Sequence, residues 1–557
     1  MSTPVHPGKK GTKQSSGYMK RRTNSRKRPL NRYELETPEP ESVSTSATKL
    51  KQAEESNKEV EVDEAFGYRL INFVAVFNIL SNVLVCKTCK SNIKFTESGR
   101  RGLGFKIVLS CDNCEQIIIP NCPFVDKSYE LNRRMILAMR LLGIELHGIE
   151  KFCAFMDLPR PIFHSFYDKL IHTICNATEA VCKNSMRKAA QEENEKYIES
   201  GQTNGITVSG DGSWRKRGFS SLFGLVTVIG LFTSKVLDIV VKSKYCKSCE
   251  FWEKKSDTEE YVEWLETHRS QCQSNHQGSA GKMEVDAVIQ MFQRSEITAE
   301  NKEVFKKECI DHVQKRMGTH LRNVKKNTKG LGGKGKLTGK LMDELSIYYG
   351  LAIRRNHDSV QKMRDAIWGT LYHKLSTDEK PQHDKCPSGE DSWCSWQKAK
   401  AENKLHEYKH KPALPDEVFE AIKPIYEKLS SDDLLERCIG GFTQNSNESF
   451  NALVWSMAPK AVSSGKIVLD TVANLAVCTY NDGISSIMQV MKLLGLTIGH
   501  NCYNYCLETD ARRIKFSELS LSDAAKEART SLKSARKDVE HEDFDMEGEI
   551  YGAGIAD

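Results

Sequence analysis

The spacing of apolar residues along the chain separates two polar tails from a patterned interior. Residues 1–62 are rich in Lys, Arg, Ser, Thr, Pro and Glu and have almost no aliphatic periodicity. Such a segment cannot bury enough apolar surface to offset the entropy lost on ordering. We therefore expect a disordered basic and polar tail over 1–62, and a second, charged and disordered tail over 516–557.

The interior changes period near residue 205. From 127 to about 199 the apolar residues recur at helical spacing, and Phe152, Phe155 and Phe163 are expected to face a core. Three β-branched-rich runs then follow, at 205–214, 223–232 and 236–241, and they predict consecutive strands of one sheet.

The first of these runs carries an acid beside two glycines. Asp211 lies between Gly210 and Gly212, and glycines allow a sharp turn where a strand ends. We therefore expect the first strand to end at Asp211, with its carboxylate at the carboxyl edge of the sheet, where α/β proteins bind ligands. Helical spacing returns beyond the sheet, and it predicts a helix from Lys302 to about Lys326 and another that starts near Asn447.

The eighteen cysteines are informative once the compartment is considered. The longest apolar stretch, 70–85, contains three asparagines and is shorter than the roughly 18 apolar residues that a span needs. The first thirty residues lack the apolar segment of a secretory signal. We expect a cytosolic or nuclear protein without membrane contact, in which cysteines serve as metal ligands rather than disulfides.

Two CxxC pairs, Cys86/Cys89 and Cys111/Cys114, are separated by about 21 residues. This is the spacing of a zinc ribbon, in which four thiolates close a tetrahedral structural site. Buried thiols without a metal are the alternative.

A third CxxC pair, Cys246/Cys249, precedes His268 and Cys272. Three sulfurs and an imidazole predict a second structural zinc site, which would hold a small insertion over 242–280. All four positions of each predicted site are filled by protein, so neither is expected to activate water.

The net charge of +7 is too small to argue for nucleic acid by itself. Its placement is more informative. A basic run in the first tail could act as a nuclear-import signal or contact phosphates, and the face of a predicted helix could follow a DNA backbone; a solvated charge run is the alternative for both. The residues are Lys20, Arg21, Arg22, Arg26, Lys27 and Arg28 in the tail, and Lys315, Arg316, Arg322, Lys325 and Lys326 on the helix.

Cys309 and His312 lie three residues apart on the predicted helix and so share a face. As chemistry alone, an ordinary packed cysteine and a hydrogen-bonded histidine explain this pair better than a metal site.

Four segments together resemble the Mutator-like transposase domain of DNA transposons and of host proteins derived from them. They are Asp211-Gly-Ser-Trp214-Arg-Lys-Arg217-Gly218, the Cys309-x-x-His312 pair, Tyr348-Tyr-Gly-Leu-Ala-Ile-Arg-Arg-Asn356, and Thr443-Gln-Asn-Ser-Asn-Glu448-Ser-Phe-Asn451. The resemblance covers roughly 66–515. It implies an α/β, RNase H-like mixed sheet with a large helical insertion, in addition to the zinc ribbon and the second zinc-binding insertion.

The resemblance also implies a chemistry. In that family two aspartates and a glutamate hold two Mg²⁺ or Mn²⁺ ions for DNA strand cleavage and transfer, with a Cys-x-x-His motif between the second and third acids. Asp211 would be the first ligand and Glu448 the third, and Cys309 and His312 would be the intervening pair.

The second acid of the family motif is not found in this chain. The family carries it on a strand, in a Gly-Asp-Gly-Asp-like run, whereas residues 294–303 here pass from one predicted helix to the next without a β-prone run. The nearest acids, Asp286, Glu296 and Glu300, do not stand where the motif requires. We therefore expect impaired catalysis.

Composition, cysteine spacing and the resemblance together predict seven parts of the chain. These are the tail 1–62, a zinc ribbon 66–124, a helical DNA-binding or linking region 125–200, an RNase H-like core 205–325, a helical insertion 326–440, the C-terminal part of the core 441–515, and the tail 516–557. Three functions stay open: a metal-dependent transposase; a catalytically inactive, zinc-dependent DNA-binding protein derived from one; and, if the basic residues are irrelevant, a zinc-stabilised protein-interaction module with no role on DNA. The first two predict DNA as partner, a nuclear location and a homo-oligomer on DNA.

Overall fold

The computed structural model describes residues 44–51, 60–201, 205–216, 221–294, 305–333, 335–390, 392–461, 464–529 and 531. The strands are β1 Ile93–Arg101, β2 Gly104–Cys111, β3 Ile117–Pro120, β4 Phe124–Val125, β5 Ser128–Tyr129, β6 Val208–Trp214, β7 Phe223–Gly230 and β8 Val236–Ser243. The helices are α1 Thr45–Lys51, α2 Phe73–Val83, α3 Glu130–Leu141, α4 Leu146–Phe155, α5 His164–Glu199, α6 Lys247–Glu253, α7 Glu259–His268, α8 Ala280–Arg294, α9 Ile310–Asn327, α10 Gly339–Arg355, α11 Val360–Leu375, α12 Ser395–Ala401, α13 Asp416–Leu429, α14 Asp432–Cys438, α15 Asn445–Met457, α16 Lys466–Asp482, α17 Ile487–Leu493 and α18 His500–Leu521. The described chain is thus a mixed α/β protein with small sheets.

The first sheet, β1–β2–β3, is antiparallel throughout. Its first two strands form a hairpin whose register brings Ile93 opposite Cys111, so the end of β2 returns to the start of β1. Helix α2 packs on this sheet through its aromatic residues, and the ring centroids of Phe77 and Phe95 are 4.9 Å apart. This hairpin brings the two halves of the predicted zinc ribbon together.

The three strands predicted after residue 205 are confirmed as β6, β7 and β8, an antiparallel sheet in that order. The prediction that the first strand ends at Asp211 is wrong. Asp211 pairs with Thr227 in the interior of β6, and the ladder continues to Trp214 opposite Gly224. A side chain at Gly224 would lie 1.9 Å from the Trp214 indole, so this glycine makes room for the ring and the strand continues.

The two faces of this sheet are covered by different helices. On one face Leu225, Ile229 and Val236 belong to the largest core, which α5, α16 and α17 also form. On the other face Val226 and Val240 pack against Ala287 and Met291 of α8. Because successive residues of a strand face opposite sides, Asp211 lies on the α5/α16 side and Gly212 on the α8 side.

A second core joins helices α9, α10, α11, α13 and α14. The predicted helix from Lys302 is wrong at its start, because α9 begins only at Ile310 and residues 305–309 are not helical. The backbone N–H groups of Glu308 and Ile310 donate to the carbonyls of Arg437 and Phe442 at 2.8 and 3.0 Å. These contacts with the far end of the helical region hold the segment out of the helix.

Each predicted tail contains residues of a described helix, and the rest of the two tails lies largely outside the described residues. Helix α1 lies within 1–62 and buries Ala47 and Leu50, while the Lys49 ammonium lies 3.6 Å from the centre of the Tyr480 ring. Two apolar residues three apart give α1 a packing face that the average composition of the tail conceals. At the other end α18 continues to Leu521, past residue 516, and Arg513 secures it by donating to the Thr479 and Tyr480 carbonyls at 2.7 and 2.8 Å.

The three aromatic residues expected in the core are exposed instead, Phe152 at 39%, Phe155 at 90% and Phe163 at 69%. Phe155 and Phe163 lie at a helix boundary, where the side chain extends past the packed face. The basic run of the first tail, 20–28, lies outside the described residues. Among the helices that are described, none is long and apolar enough to cross a membrane.

Candidate functional site

The N-terminal half of α15 docks on β6 through side-chain amides. Gln444, the residue before α15, donates to the Gly210 carbonyl at 2.7 Å, and Asn447 donates to the Ser209 carbonyl at 3.2 Å. The Ser209 hydroxyl donates to the Asn447 Oδ1 at 2.6 Å. About two helical turns further on, Trp455 Nε1 donates to the Ser213 hydroxyl at 2.7 Å. The polar positions of the Asn- and Ser-rich motif therefore fix α15 against β6.

This docking places Asp211 next to α15. Asn451 donates from Nδ2 to Asp211 Oδ2 at 2.8 Å. Burial, followed by the negative charge of Glu284, raises the pKa of Asp211 to about 6, and Glu448 contributes in the same direction. A carboxylate that is buried and repelled by two others is a group that a cation would stabilise.

Glu284 is the acid that sequence reasoning missed. It lies on α8, and its carboxyl carbon is 3.1 Å from the position that a Cβ on Gly212 would take. Burial raises the pKa of Glu284 as well. Glu284 therefore borders β6 from the face opposite that of Asp211, and no sequence motif indicates it, because its position results from the packing of α8 on the sheet.

Glu448 lies in the first turn of α15 and is exposed. Lys315 of α9 brings its Nζ within 3.9 Å of the Glu448 Oε1. The nearby His312 has its pKa lowered by burial and by Lys315, while Glu448 acts in the opposite direction. Cys309 is the buried N-cap residue of α9 rather than a residue within the helix, so the Cys-x-x-His pair lies at a helix start.

Of the other acids considered from the sequence, Asp286 alone lies in the described part of the chain. The Oδ2 of Asp286 lies 3.1 Å from the Nδ1 of the buried His276. Glu296 and Glu300 lie outside the described residues, as does the whole junction 295–304. The absence of a second acid on a strand in that junction stays a prediction.

The carboxylates of the centre have the donor chemistry that Mg²⁺ and Mn²⁺ prefer, but their oxygen atoms do not lie close to one another. In the described part of the chain, sets of three or more ligand atoms within 4.8 Å of one another occur only in clusters of cysteine and histidine. Asp211, Glu284 and Glu448 form no such set.

The ribbon cysteines, in contrast, are gathered. Cys86 and Cys114 have their sulfurs 3.8 Å apart, and Cys89 and Cys111 have theirs 3.6 Å apart. Zn–S bonds of about 2.3 Å in a tetrahedron separate the sulfurs by about 3.8 Å. Lys90 supports the first knuckle in a left-handed conformation, with φ of 60°, which turns the chain back into β1. The four thiols could hold zinc.

The second predicted set is gathered in the same way. The His268 Nε2 lies 3.4 Å from the Cys246 sulfur and 3.3 Å from the Cys249 sulfur, and the Cys249 and Cys272 sulfurs are 3.5 Å apart. The indole of Trp264 stacks on the His268 ring with centroids 4.3 Å apart. These side chains could hold a second zinc ion.

A third gathered set was not anticipated from the sequence. It consists of His373, His383, Cys386 and Cys394. It contains no CxxC pair, and its signal in the sequence is limited to four cysteines and histidines within 22 residues.

The basic residues predicted on α9 differ in their surroundings. Arg316 donates to the buried Glu308 at 2.9 Å, and it is therefore engaged within the protein. Lys315 and Arg322 are exposed, as is Lys326, whereas Lys325 is half-buried. The exposed face of α9 therefore presents positive charge beside Glu448.

A family described as Mutator-like transposase matches residues 67–299 and 295–394, which together cover more than half of the chain. The two matched segments meet at 295–299, the junction in which the sequence lacks the expected strand. Glu448 lies beyond the matched residues. No curated protein and no solved structure matches the chain.

Proposed function

Because the chain belongs to the Mutator-like transposase family, we propose that it is a transposase-derived protein that binds DNA and whose metal-dependent strand-cleavage centre is impaired. Zinc in the ribbon and in the second insertion orders the DNA-binding surface, and the exposed Lys315 and Arg322 contact the phosphate backbone. The protein acts in the nucleus as a homo-oligomer on DNA derived from transposon ends.

One observation carries the proposed impairment. Asp211 and Glu448 both approach from the α15 side of β6, whereas Glu284, the other acid whose charge acts on Asp211, borders Gly212 on the opposite face. A two-ion centre needs carboxylates that converge on ions about 4 Å apart. The strand that carries the second acid in the family has no counterpart in the sequence between α8 and α9.

The residues of the centre have distinct roles in this proposal. Asp211 and Glu448 would hold the Mg²⁺ or Mn²⁺, which supplies activation of water or of a 3′ hydroxyl and stabilises the leaving oxygen. Asn451 orients the Asp211 carboxylate by donating to Oδ2. Lys315 offsets the charge of Glu448 and lies where a phosphate could approach.

The RNase H-like fold and the seven-part division of the chain belong to this proposal. An antiparallel sheet with an acid on its first strand, β6, and a second acid on the late helix α15 supports it. The Cys309/His312 pair at the start of α9 supports it as well, since the negative charge of Glu448 acts on the pKa of His312.

The test combines binding and cleavage on one set of variants, with duplex DNA carrying the terminal repeats of the element. We expect the wild-type protein to bind this DNA with an affinity that falls steeply with salt, because Lys and Arg contacts release counterions. We expect Lys315→Ala and Arg322→Ala each to reduce the salt slope by about 1, whereas Lys183→Ala, on the exposed face of α5, leaves it unchanged. Salt-independent binding would contradict the proposal.

Cleavage is measured on the same DNA with added Mg²⁺ or Mn²⁺. We expect no nicking above that of the Asp211→Asn variant. Robust nicking by the wild-type protein that Asp211→Asn abolishes would overturn the proposed impairment.

A second candidate is an active transposase in which Glu284 replaces the missing acid. The effect of Glu284 on the pKa of Asp211 favours it. In that case Glu284→Gln abolishes nicking as completely as Asp211→Asn, while Asp286→Asn leaves it intact. Loss of nicking in Asp286→Asn instead would assign the role to that residue.

A further inference from the structure

A buried cluster in the helical region brings together two imidazoles and two thiols. His373 lies in the last turn of α11, His383 and Cys386 lie in the loop that follows, and Cys394 is the N-cap residue of α12. Cys394 is fully buried, and His383 and Cys386 are only 2% and 6% exposed. We propose that these four residues bind a third structural Zn²⁺.

The distances within the cluster match a tetrahedral zinc site. The Nδ1 atoms of His373 and His383 are 3.2 Å apart. The Cys394 sulfur lies 3.5 and 3.4 Å from these two nitrogens, and the Cys386 sulfur lies 3.9 and 3.7 Å from them. Zn–N bonds of about 2.0 Å and Zn–S bonds of about 2.3 Å place nitrogens about 3.3 Å apart, and a nitrogen and a sulfur about 3.6 Å apart.

A chain of hydrogen bonds behind His383 fixes which of its nitrogens faces the cluster as an acceptor. Asp378 Oδ1 lies 2.6 Å from the His410 Nδ1, so that nitrogen donates to the carboxylate. The His410 Nε2 then accepts, and it lies 3.0 Å from the His383 Nε2. His383 therefore carries its proton on Nε2, and its Nδ1 presents a lone pair to the centre of the cluster.

This arrangement is the one found behind histidine metal ligands. A ligating imidazole donates its other N–H to a partner that holds the ring in place. Ser376 adds to it, since its hydroxyl lies 2.9 Å from the His383 Nε2 and 3.0 Å from the His410 Nε2. The Trp396 indole stacks on the His383 ring with centroids 4.8 Å apart. A lone pair that is oriented in this way, next to two thiols and a second imidazole, is suited to bind a cation.

The site would act as a staple, because its ligands come from the end of α11, the loop that follows it and the start of α12. The Asp378–His410 pair extends the connection to the segment before α13. Residues 384–387 of this loop form one wall of a cavity of about 600 Å³, opposite α10. With four protein ligands the site has no open position for substrate, so its role is structural.

The number of bound zinc ions tests the proposal directly. We expect purified full-length protein, refolded or expressed with zinc and analysed by mass spectrometry for metal content, to hold three equivalents of zinc. Cys394→Ala should hold two. Cys438→Ala is the matched control, since Cys438 is equally buried but belongs to no cluster, and it should keep three.

Further variants separate this site from simple misfolding. His410→Ala removes the partner of His383 without removing a ligand, so we expect three equivalents with zinc affinity at this site weakened by about 10- to 100-fold. His406→Ala, an exposed histidine four residues away, should leave the affinity unchanged. A wild-type protein that binds only two equivalents overturns the proposal even if Cys394→Ala cannot be purified, as does a Cys394→Ala variant that retains three. These outcomes do not depend on DNA binding or cleavage.

Discussion

The zinc ribbon and the carboxylate centre both offer a metal several ligands, but they assemble them differently. The ribbon takes four thiols from one hairpin within 86–114, and the sulfurs already stand at tetrahedral distances. The carboxylate centre takes its acids from β6, α8 and α15, with Asp211 and Glu448 237 residues apart along the chain, and the carboxylate oxygens do not lie together.

The difference shows which parts of the structure each kind of site depends on. Local spacing fixes the ribbon ligands, so the site depends on a few turns of backbone. The carboxylate centre depends on how two helices dock on a sheet, and a change in one connection between them, such as that at 295–304, can displace an acid without unfolding the domain.

The largest expected effect is on the ribbon. Cys111→Ser should lose one equivalent of zinc and leave 66–124 open to limited proteolysis, because structural zinc contributes about 10–16 kcal/mol in small zinc-binding units. Zinc analysis and protease digestion check this result. Cys122→Ser, a buried cysteine just beyond the cluster, is the control and should keep its metal. A protease-resistant Cys111→Ser ribbon would mean that the hairpin does not need the ion.

The next effect probes the docking of α15. Asn447 is fully buried and bonds to both the carbonyl and the hydroxyl of Ser209. We expect Asn447→Ala to lower the free energy of unfolding by about 2–4 kcal/mol, because it leaves buried polar groups unpaired. Chemical denaturation measures this loss. Asn445→Ala, exposed at the start of the same helix, should change the stability by less than about 0.5 kcal/mol; equal losses would show that the amide contacts are unimportant.

The smallest effect concerns the charge of Asp211. Its pKa is about 6 in the folded protein and 3.8 when unperturbed, so between these values the folded state binds more protons than the unfolded state. Stability is therefore lost as the pH rises from about 4 to 6, and the cost is fully present above pH 6. Asp211→Asn should thus be more stable than wild type by about 1–3 kcal/mol at pH 7.5, and by less at pH 5.

Thermal unfolding at the two pH values measures the difference, with Asp257→Asn as an exposed control. Added Mg²⁺ should raise the melting temperature of the wild type but not that of Asp211→Asn. A gain that is the same at both pH values would exclude ionisation as its cause.

The sequence predicted best where ligands or strands are close along the chain. The two CxxC-based clusters and the three strands from β6 to β8 follow from local spacing and alternation, and the structure forms them. The cluster around His383 is not predictable from a motif, because its four residues are spaced by ten, three and eight positions without a repeated unit.

The remaining errors involve contacts between distant segments. The first strand continues past Asp211 because Gly224, on the next strand, leaves space for Trp214. Helix α9 starts late because Arg437 and Phe442 bind the backbone before it. Glu284 reaches β6 only through the packing of α8. The local spacing of apolar residues indicates none of these contacts.

The amides that dock α15 have one more consequence, for solubility. In the described residues β6 pairs with β7 alone, and an open strand edge is a template on which other chains can add and aggregate. Gln444 and Asn447 donate to the carbonyls of Gly210 and Ser209. Because the carbonyls of consecutive strand residues point to opposite edges, one of these two lies on the open edge, and its hydrogen bond removes one acceptor that an incoming strand would use. The motif that fixes α15 therefore also guards the sheet against edge-to-edge polymerisation.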